Sequence, residues 1–162
     1  MEPKARKNYL SWDDTFMMIA KVIAQRSKDP STQTGAVIVD KNNNLAGMGY
    51  NDLPCGVKDN LFPWGKDYGE NKQNIHNTKY PYIVHAEINA ILNASRPIEE
   101  GTMYCLLFPC SECAKIIIQS GIKKLIYEDD RYELNKNNFS ISKKLFDAAG
   151  IKYKKYIFKK NL

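Results

Sequence analysis

Two short stretches constrain this chain most: His85-Ala86-Glu87 and, downstream, Pro109-Cys110-Ser111-Glu112-Cys113. Together they bring one imidazole, two thiols and a carboxylate. Zinc favours nitrogen and sulfur ligands in a tetrahedron, and a catalytic site leaves one corner open to water. His85, Cys110 and Cys113 fill three corners. Glu87 then stands beside the fourth as a proton carrier, not as a ligand. A lone C-x-x-C also suits a redox pair or half of a structural zinc site. The structural site needs a fourth Cys or His nearby, and Glu87 is a poor substitute.

The spacing has a local physical basis. A helix that begins near His85 points Glu87 into the same cavity, less than a turn away. A second helix that begins at Pro109 or Cys110 presents Cys110 and Cys113 on one face, because positions three apart are neighbours. Proline suits a helix start, where its missing N–H removes no intrahelical bond. The positive end of that helix favours thiolate, the form that binds metal.

The rest of the chain is read from periodicity and turn residues. Ser11-Trp12-Asp13-Asp14 is a capping box, and Phe16, Ile19, Ala20, Ile23 and Ala24 follow at helical spacing, predicting a helix to about Arg26. Residues 27–34 form a loop by composition. Gly35–Asp40 and Leu45–Tyr50 read as a hairpin closed by the turn 41–44. Asn51 to about Tyr82 is a long irregular stretch, read evenly as a substrate lid or subunit contact, or as disorder. A second helix follows Glu87, then a strand Thr102–Phe108, nearly continuous in apolar residues and so central. A third helix runs from Cys110 to about Ser120 with Gly121 as its stop. Leu125–Tyr127, Ser140–Ala149 and Ile151–Phe158 complete the order α-β-β-α-β-α-β-α-β. That alternation implies a three-layer α-β-α sandwich around a mixed five-stranded sheet.

Composition sets outer bounds. The chain's 162 residues suggest one domain (1–162, core about 9–158), and 43% hydrophobic with 26% charged residues fits a soluble globular protein. No apolar run reaches membrane-span length, and the N-terminal basic residues are not followed by an apolar core. A cytoplasmic location is the expectation. Four cysteines, two of them assigned to metal, do not make a disulfide scaffold. Cys105 reads as a buried hydrophobe. Cys55 and His76, paired as a second metal site, fall short in ligand number. The net charge of +6 owes much to Lys152, Lys154, Lys155, Lys159 and Lys160, read as a solvated tail because no aromatic platform accompanies them.

The joint pattern H-x-E followed by P-C-x-x-C is the signature of zinc nucleobase deaminases. With its flanking stretches, the chain resembles the deoxycytidylate (dCMP) deaminase family of the cytidine deaminase superfamily from about Tyr9 to Tyr156. Those stretches are Gln25–Pro30, Gly49-Tyr50-Asn51, Asn71-Lys72, Thr78–Tyr82, Leu107–Lys115 and Ile118–Lys123.

The resemblance implies a cytidine deaminase-like fold and zinc held by His85, Cys110 and Cys113. It makes Glu87 the proton shuttle for hydrolysis of dCMP to dUMP and ammonia, a step supplying thymidylate synthesis. It places Asn51 at the sugar or base, and Arg26, Ser27 and Lys28 near the phosphate. Phe108 reads equally as a pyrimidine contact and as a core aromatic. The resemblance further implies a homo-oligomer, with a hexamer favoured, activated by dCTP and inhibited by dTTP. Gly49, Tyr50 and Asn51 belong to the effector segment. Many family members follow that segment with glycine, where this chain has Asp52. A carboxylate beside a triphosphate is unfavourable unless Mg2+ intervenes. A polynucleotide substrate would use the same metal and carboxylate, and here only the basic tail hints at one.

Overall fold

The computed structural model describes residues 3–66, 74–130 and 136–158, with 136–139 described by backbone alone. Asn71, Lys72, Lys159 and Lys160 lie outside the described residues. In chain order the elements are α1 (Trp12–Ala24), β1 (Gly35–Val39), β2 (Leu45–Tyr50), α2 (Ala86–Leu92), β3 (Thr102–Leu107), α3 (Ser111–Gln119), β4 (Lys124–Asp129), α4 (Lys136–Ala148) and β5 (Lys152–Lys155). This is the expected order. The last helix starts at Lys136, four residues earlier than the expected Ser140.

The capping box forms as read. The Asp14 amide donates to Ser11 Oγ at 3.1 Å, and the Ser11 amide donates to Asp14 Oδ2 at 3.3 Å. Such a cap is worth about 1 kcal/mol. Gly121 and Gly150, at φ +82° and +69°, stop α3 and α4 in the left-handed region that glycine enters at little cost.

The sheet order is β2-β1-β3-β4-β5. β1 pairs antiparallel with β2 and with β3, whereas β3–β4 and β4–β5 are parallel. β3 is therefore the central strand, as its apolar run predicts. Side chains alternate across the sheet. Val37, Val39, Tyr104 and Ile126 face α1, while Ala36, Ile38, Met103, Cys105 and Leu125 pack toward α2, α3 and α4. The result is three layers: α1, the mixed sheet, then α2, α3 and α4.

Two glycines decide how closely α2 approaches the edge strand. A Cβ at Gly47 would collide with the carbonyl of Ala90, and one at Gly49 with the amide of Ala90 and the carbonyl of Ala86. With hydrogen in those places, α2 lies directly on β2. Asn89 Nδ2 then donates to the Tyr50 carbonyl at 2.8 Å, and Asn93 Nδ2 donates to that of Met48 at 3.3 Å. This contact fixes the start of α2, and with it His85.

The described part of the 51–84 stretch is built rather than loose. It holds two 3₁₀ turns, Asp59–Leu61 and Ile75–Asn77, and packs Phe62 against Tyr82 with ring centroids 4.5 Å apart. Asp52 and Val84 pair as an antiparallel bridge just before His85. Among the described residues no helix is long and apolar enough to cross a membrane.

Candidate metal centre

His85 is the N-cap of α2 and Cys110 the N-cap of α3, so each ligand sits where a loop turns into a helix. Cys113 follows in the first turn of α3 and is buried; Cys110 is half-buried and His85 exposed. Their ligand atoms all lie within 4.8 Å of one another. His85 Nδ1 is 3.3 Å from Cys113 Sγ and 3.5 Å from Cys110 Sγ.

These separations fit zinc. Bonds of about 2.0 Å to nitrogen and about 2.3 Å to sulfur, meeting at a tetrahedral angle, put the two donors about 3.5 Å apart. The donor set agrees as well, since one imidazole and two thiols suit zinc and not a hard cation such as Mg2+. Among the described residues this is the one cluster of three metal-ligating side chains.

The electrostatics favour a cation. Hydrogen bonding with Cys113, then with His85, brings the Cys110 thiol down to about 4. Hydrogen bonding to Cys110 carries His85 up to about 9 against the opposing effect of burial, with the charge of Glu87 adding to the rise. Cys113 is pushed up by its hydrogen bond to Cys110 and by burial. The surroundings thus favour thiolate at Cys110 and thiol at Cys113, an imbalance that a divalent ion would relieve.

Glu87 lies in the first turn of α2 and is only 6% exposed. Burial raises its pKa, while the charge of His85 lowers it. A carboxyl pushed toward its neutral form, next to a three-donor cluster, is suited to taking up and returning a proton near neutral pH.

The remaining sequence-predicted residues take other positions. The Asn51 side chain is buried and fully engaged: Oδ1 accepts from the Thr34 amide at 2.9 Å, and Nδ2 donates to the Thr32 carbonyl at 2.9 Å and to Asp29 Oδ2 at 3.3 Å. Ser27 Oγ donates to the Asn51 carbonyl at 2.8 Å. Lys28 pairs with Asp59 at 2.9 Å and Asp52 at 3.8 Å. Arg26 is exposed just beyond α1. Phe108 is a core aromatic, edge-on to Tyr127, Phe146 and Tyr153. Cys105 is buried as read, while Cys55 and His76 are both exposed. Lys154 and Lys155 are not free tail charges; they pair with Asp13 and Asp130.

A cavity of about 270 Å³ opens beside β2, lined by Lys28, Tyr50, Asp52, Cys55, Asp59 and Asn89, among others. Sequence reading gives Asp29 and Lys79 no role of their own, although both lie in stretches that carry the family resemblance. They form a buried ion pair between positions 50 apart. No local pattern signals a contact that distant. Asn89 on α2 and Asn93 at its C-cap, four apart, do carry a readable signal: a polar stripe on a face that meets a strand.

The family described as "Cytidine and deoxycytidylate deaminase zinc-binding region" matches residues 10–129. Human deoxycytidylate deaminase is 46% identical over 155 residues, covering 95% of this chain and 84% of that protein. A probable deoxycytidylate deaminase of Drosophila melanogaster is also 46% identical, covering 96% and 77%. In three dimensions the chain resembles the apo dCMP deaminase of cyanophage S-TIM5. There the TM-score is 0.66 at 23% identity, covering 89% of this chain and 96% of that one.

Proposed function

The chain belongs to the cytidine and deoxycytidylate deaminase zinc-binding family, and from that membership we propose that it hydrolyses dCMP to dUMP and ammonia. The observation that carries the reading is the triangle of His85, Cys110 and Cys113, with the buried Glu87 carboxyl two residues on from His85. These three side chains hold zinc. When bound, zinc supplies a Lewis acid that brings a water toward a pKa of about 7.

The chain's own residues manage the protons. Glu87 accepts a proton from the attacking water and delivers it to N3 of the pyrimidine; it then takes the proton of the hydroxyl now on C4 and passes it to the departing amine, which leaves as ammonia. Its burial supports this role, because desolvation disfavours the ionised carboxylate and so favours taking up a proton. Phe108 belongs to the same buried apolar cluster as Cys113.

The substrate phosphate is assigned to Arg26. Lys28, from the same loop, is already engaged by Asp59 and Asp52, whereas Arg26 offers an exposed guanidinium suited to bidentate phosphate contact. Asn51 acts mainly through the loop it holds. Arg26→Ala is expected to raise KM for dCMP more than for deoxycytidine, and equal effects would refute the assignment.

Regulation is proposed at the cavity beside Gly49, Tyr50 and Asn51. Asp52 and Asp59 oppose a bare triphosphate there, so any response to dCTP or dTTP is expected to require Mg2+. A homo-oligomer, with a hexamer favoured, is the proposed assembly, and light scattering would test it. The decisive assay for the reaction measures ammonia release from cytidine, deoxycytidine, dCMP, dCTP and an oligonucleotide, with and without the two triphosphates. Preference for dCMP sustains the reading; preference for the oligonucleotide overturns it.

A further inference from the structure

Asp29 and Lys79 are 2% and 4% exposed, and their ion pair lies outside the metal centre. Burying two charges costs more than burying apolar groups of equal size, unless every lone pair and proton is satisfied. Here the carboxylate is saturated. Oδ1 accepts from the amides of Ser31 at 2.8 Å and Thr32 at 3.1 Å; Oδ2 accepts from Lys79 Nζ and from Asn51 Nδ2. Among the described residues no buried polar side-chain atom lacks a partner. An apolar pair would hold two loops together at least as well, so the ionic pair points to a demand for fixed geometry.

The connections show which geometry. Asp29 belongs to the 27–34 loop, which follows Arg26. Asn51 joins that loop to the end of β2 through its side chain, its amide and its carbonyl. Lys79 opens the turn whose amides at Tyr82 and Ile83 donate to its carbonyl at 3.0 and 3.2 Å. Val84, the next residue, pairs with Asp52 in both directions, at 2.9 and 3.2 Å, and His85 follows. The ion pair thus ties three segments into one body: the loop after α1, the end of β2, and the stretch that delivers His85.

We infer that Asp29 and Lys79 are positioning residues for nucleotide recognition: their buried pair locks the 27–34 loop and Asn51 in register with the segment leading to His85. The inference rests on the proposed dCMP reading for its kinetic consequence, but not for the clamp itself. The metal ligands are held separately by the starts of α2 and α3. Removing the pair therefore leaves zinc bound and lets the phosphate-side loop shift.

The primary variant is the double change Asp29→Asn and Lys79→Met, which removes both charges and strands neither. The expected result is a full zinc complement, with KM for dCMP raised about tenfold to a hundredfold. KM for deoxycytidine should rise less, and kcat should hold within about threefold. Amide exchange over residues 27–34 and 79–85 should quicken in concert. Lys79→Arg keeps the charge but moves its head group, and it is read by the same measurements if the double variant does not fold.

Unchanged KM with unchanged exchange overturns the inference. So does loss of zinc, or a fall confined to kcat. If the wild-type protein releases no ammonia from dCMP, the proposed function fails. Exchange then decides the clamp alone: joint loosening upholds it and unchanged protection removes it.

Discussion

The molecule has two polar centres, and they are built on opposite principles. The first gathers His85, Cys110 and Cys113 at the starts of two helices, with His85 exposed, Cys110 half-buried and Cys113 buried. All three are electron-pair donors toward a metal, so the cluster is chemically incomplete without a cation. The second gathers Asp29, Lys79 and Asn51 away from water and satisfies itself, charge against charge and donor against acceptor. A site that must exchange ligands keeps unsatisfied valence near the surface. A clamp that must not move buries a closed network. The difference separates the group that performs chemistry from the group that holds its surroundings.

The largest effect should come from breaking the first centre. Cys110→Ala is expected to lower zinc content to near zero and abolish ammonia release, measured by elemental analysis beside the activity assay. Full metal content in that variant would refute the ligand assignment. Glu87→Gln should come next, retaining zinc and losing about 10²–10⁴ in kcat. Near-normal turnover would remove Glu87 from the proton path. Breaking the second centre by Lys79→Met alone leaves a carboxylate buried without its counter-charge. That should cost about 3–5 kcal/mol in urea unfolding at constant zinc content. A loss of less than about 1 kcal/mol would mean that the pair is no more than a surface bridge.

The smallest effect sharpens the contrast through pH. After chelation of the metal, Cys110 is expected to ionise at about 4 and His85 to hold its proton up to about 9, with Cys113 held in the thiol form by its hydrogen bond to Cys110 and by burial. Zinc must therefore expel protons from His85 and Cys113 across that range. Only the deprotonated donors bind, so affinity rises with pH, by about tenfold per unit for each proton released. Competition with a chelator at several pH values would measure the slope. A flat profile would show that these donors are already deprotonated.

Much of this was legible in the chain because it is local. The i, i+3 spacing of Cys110 and Cys113, the two-step separation of His85 and Glu87, and the Ser11–Asp14 cap each depend on a few consecutive residues. The order of strands and helices follows from periodicity in the same way. The roles of Lys28 and Phe108 were not legible. Lys28 reads as a free cation until Asp59, 31 residues on, is folded against it. Phe108 reads as a strand-end aromatic until Phe146 and Tyr153 close over it.

The sequence by itself determined the donor atoms, their helical presentation and the family to which they belong, because neighbours along a chain meet whatever the fold does around them. Only the tertiary structure decided that Asn51 turns inward, that Gly49 lets α2 sit on β2, and that Asp29 finds Lys79. Those outcomes depend on pairing across tens of residues. There the cost of closing a loop and excluding water is met by the whole sheet and its two helical layers, and no short motif encodes the result.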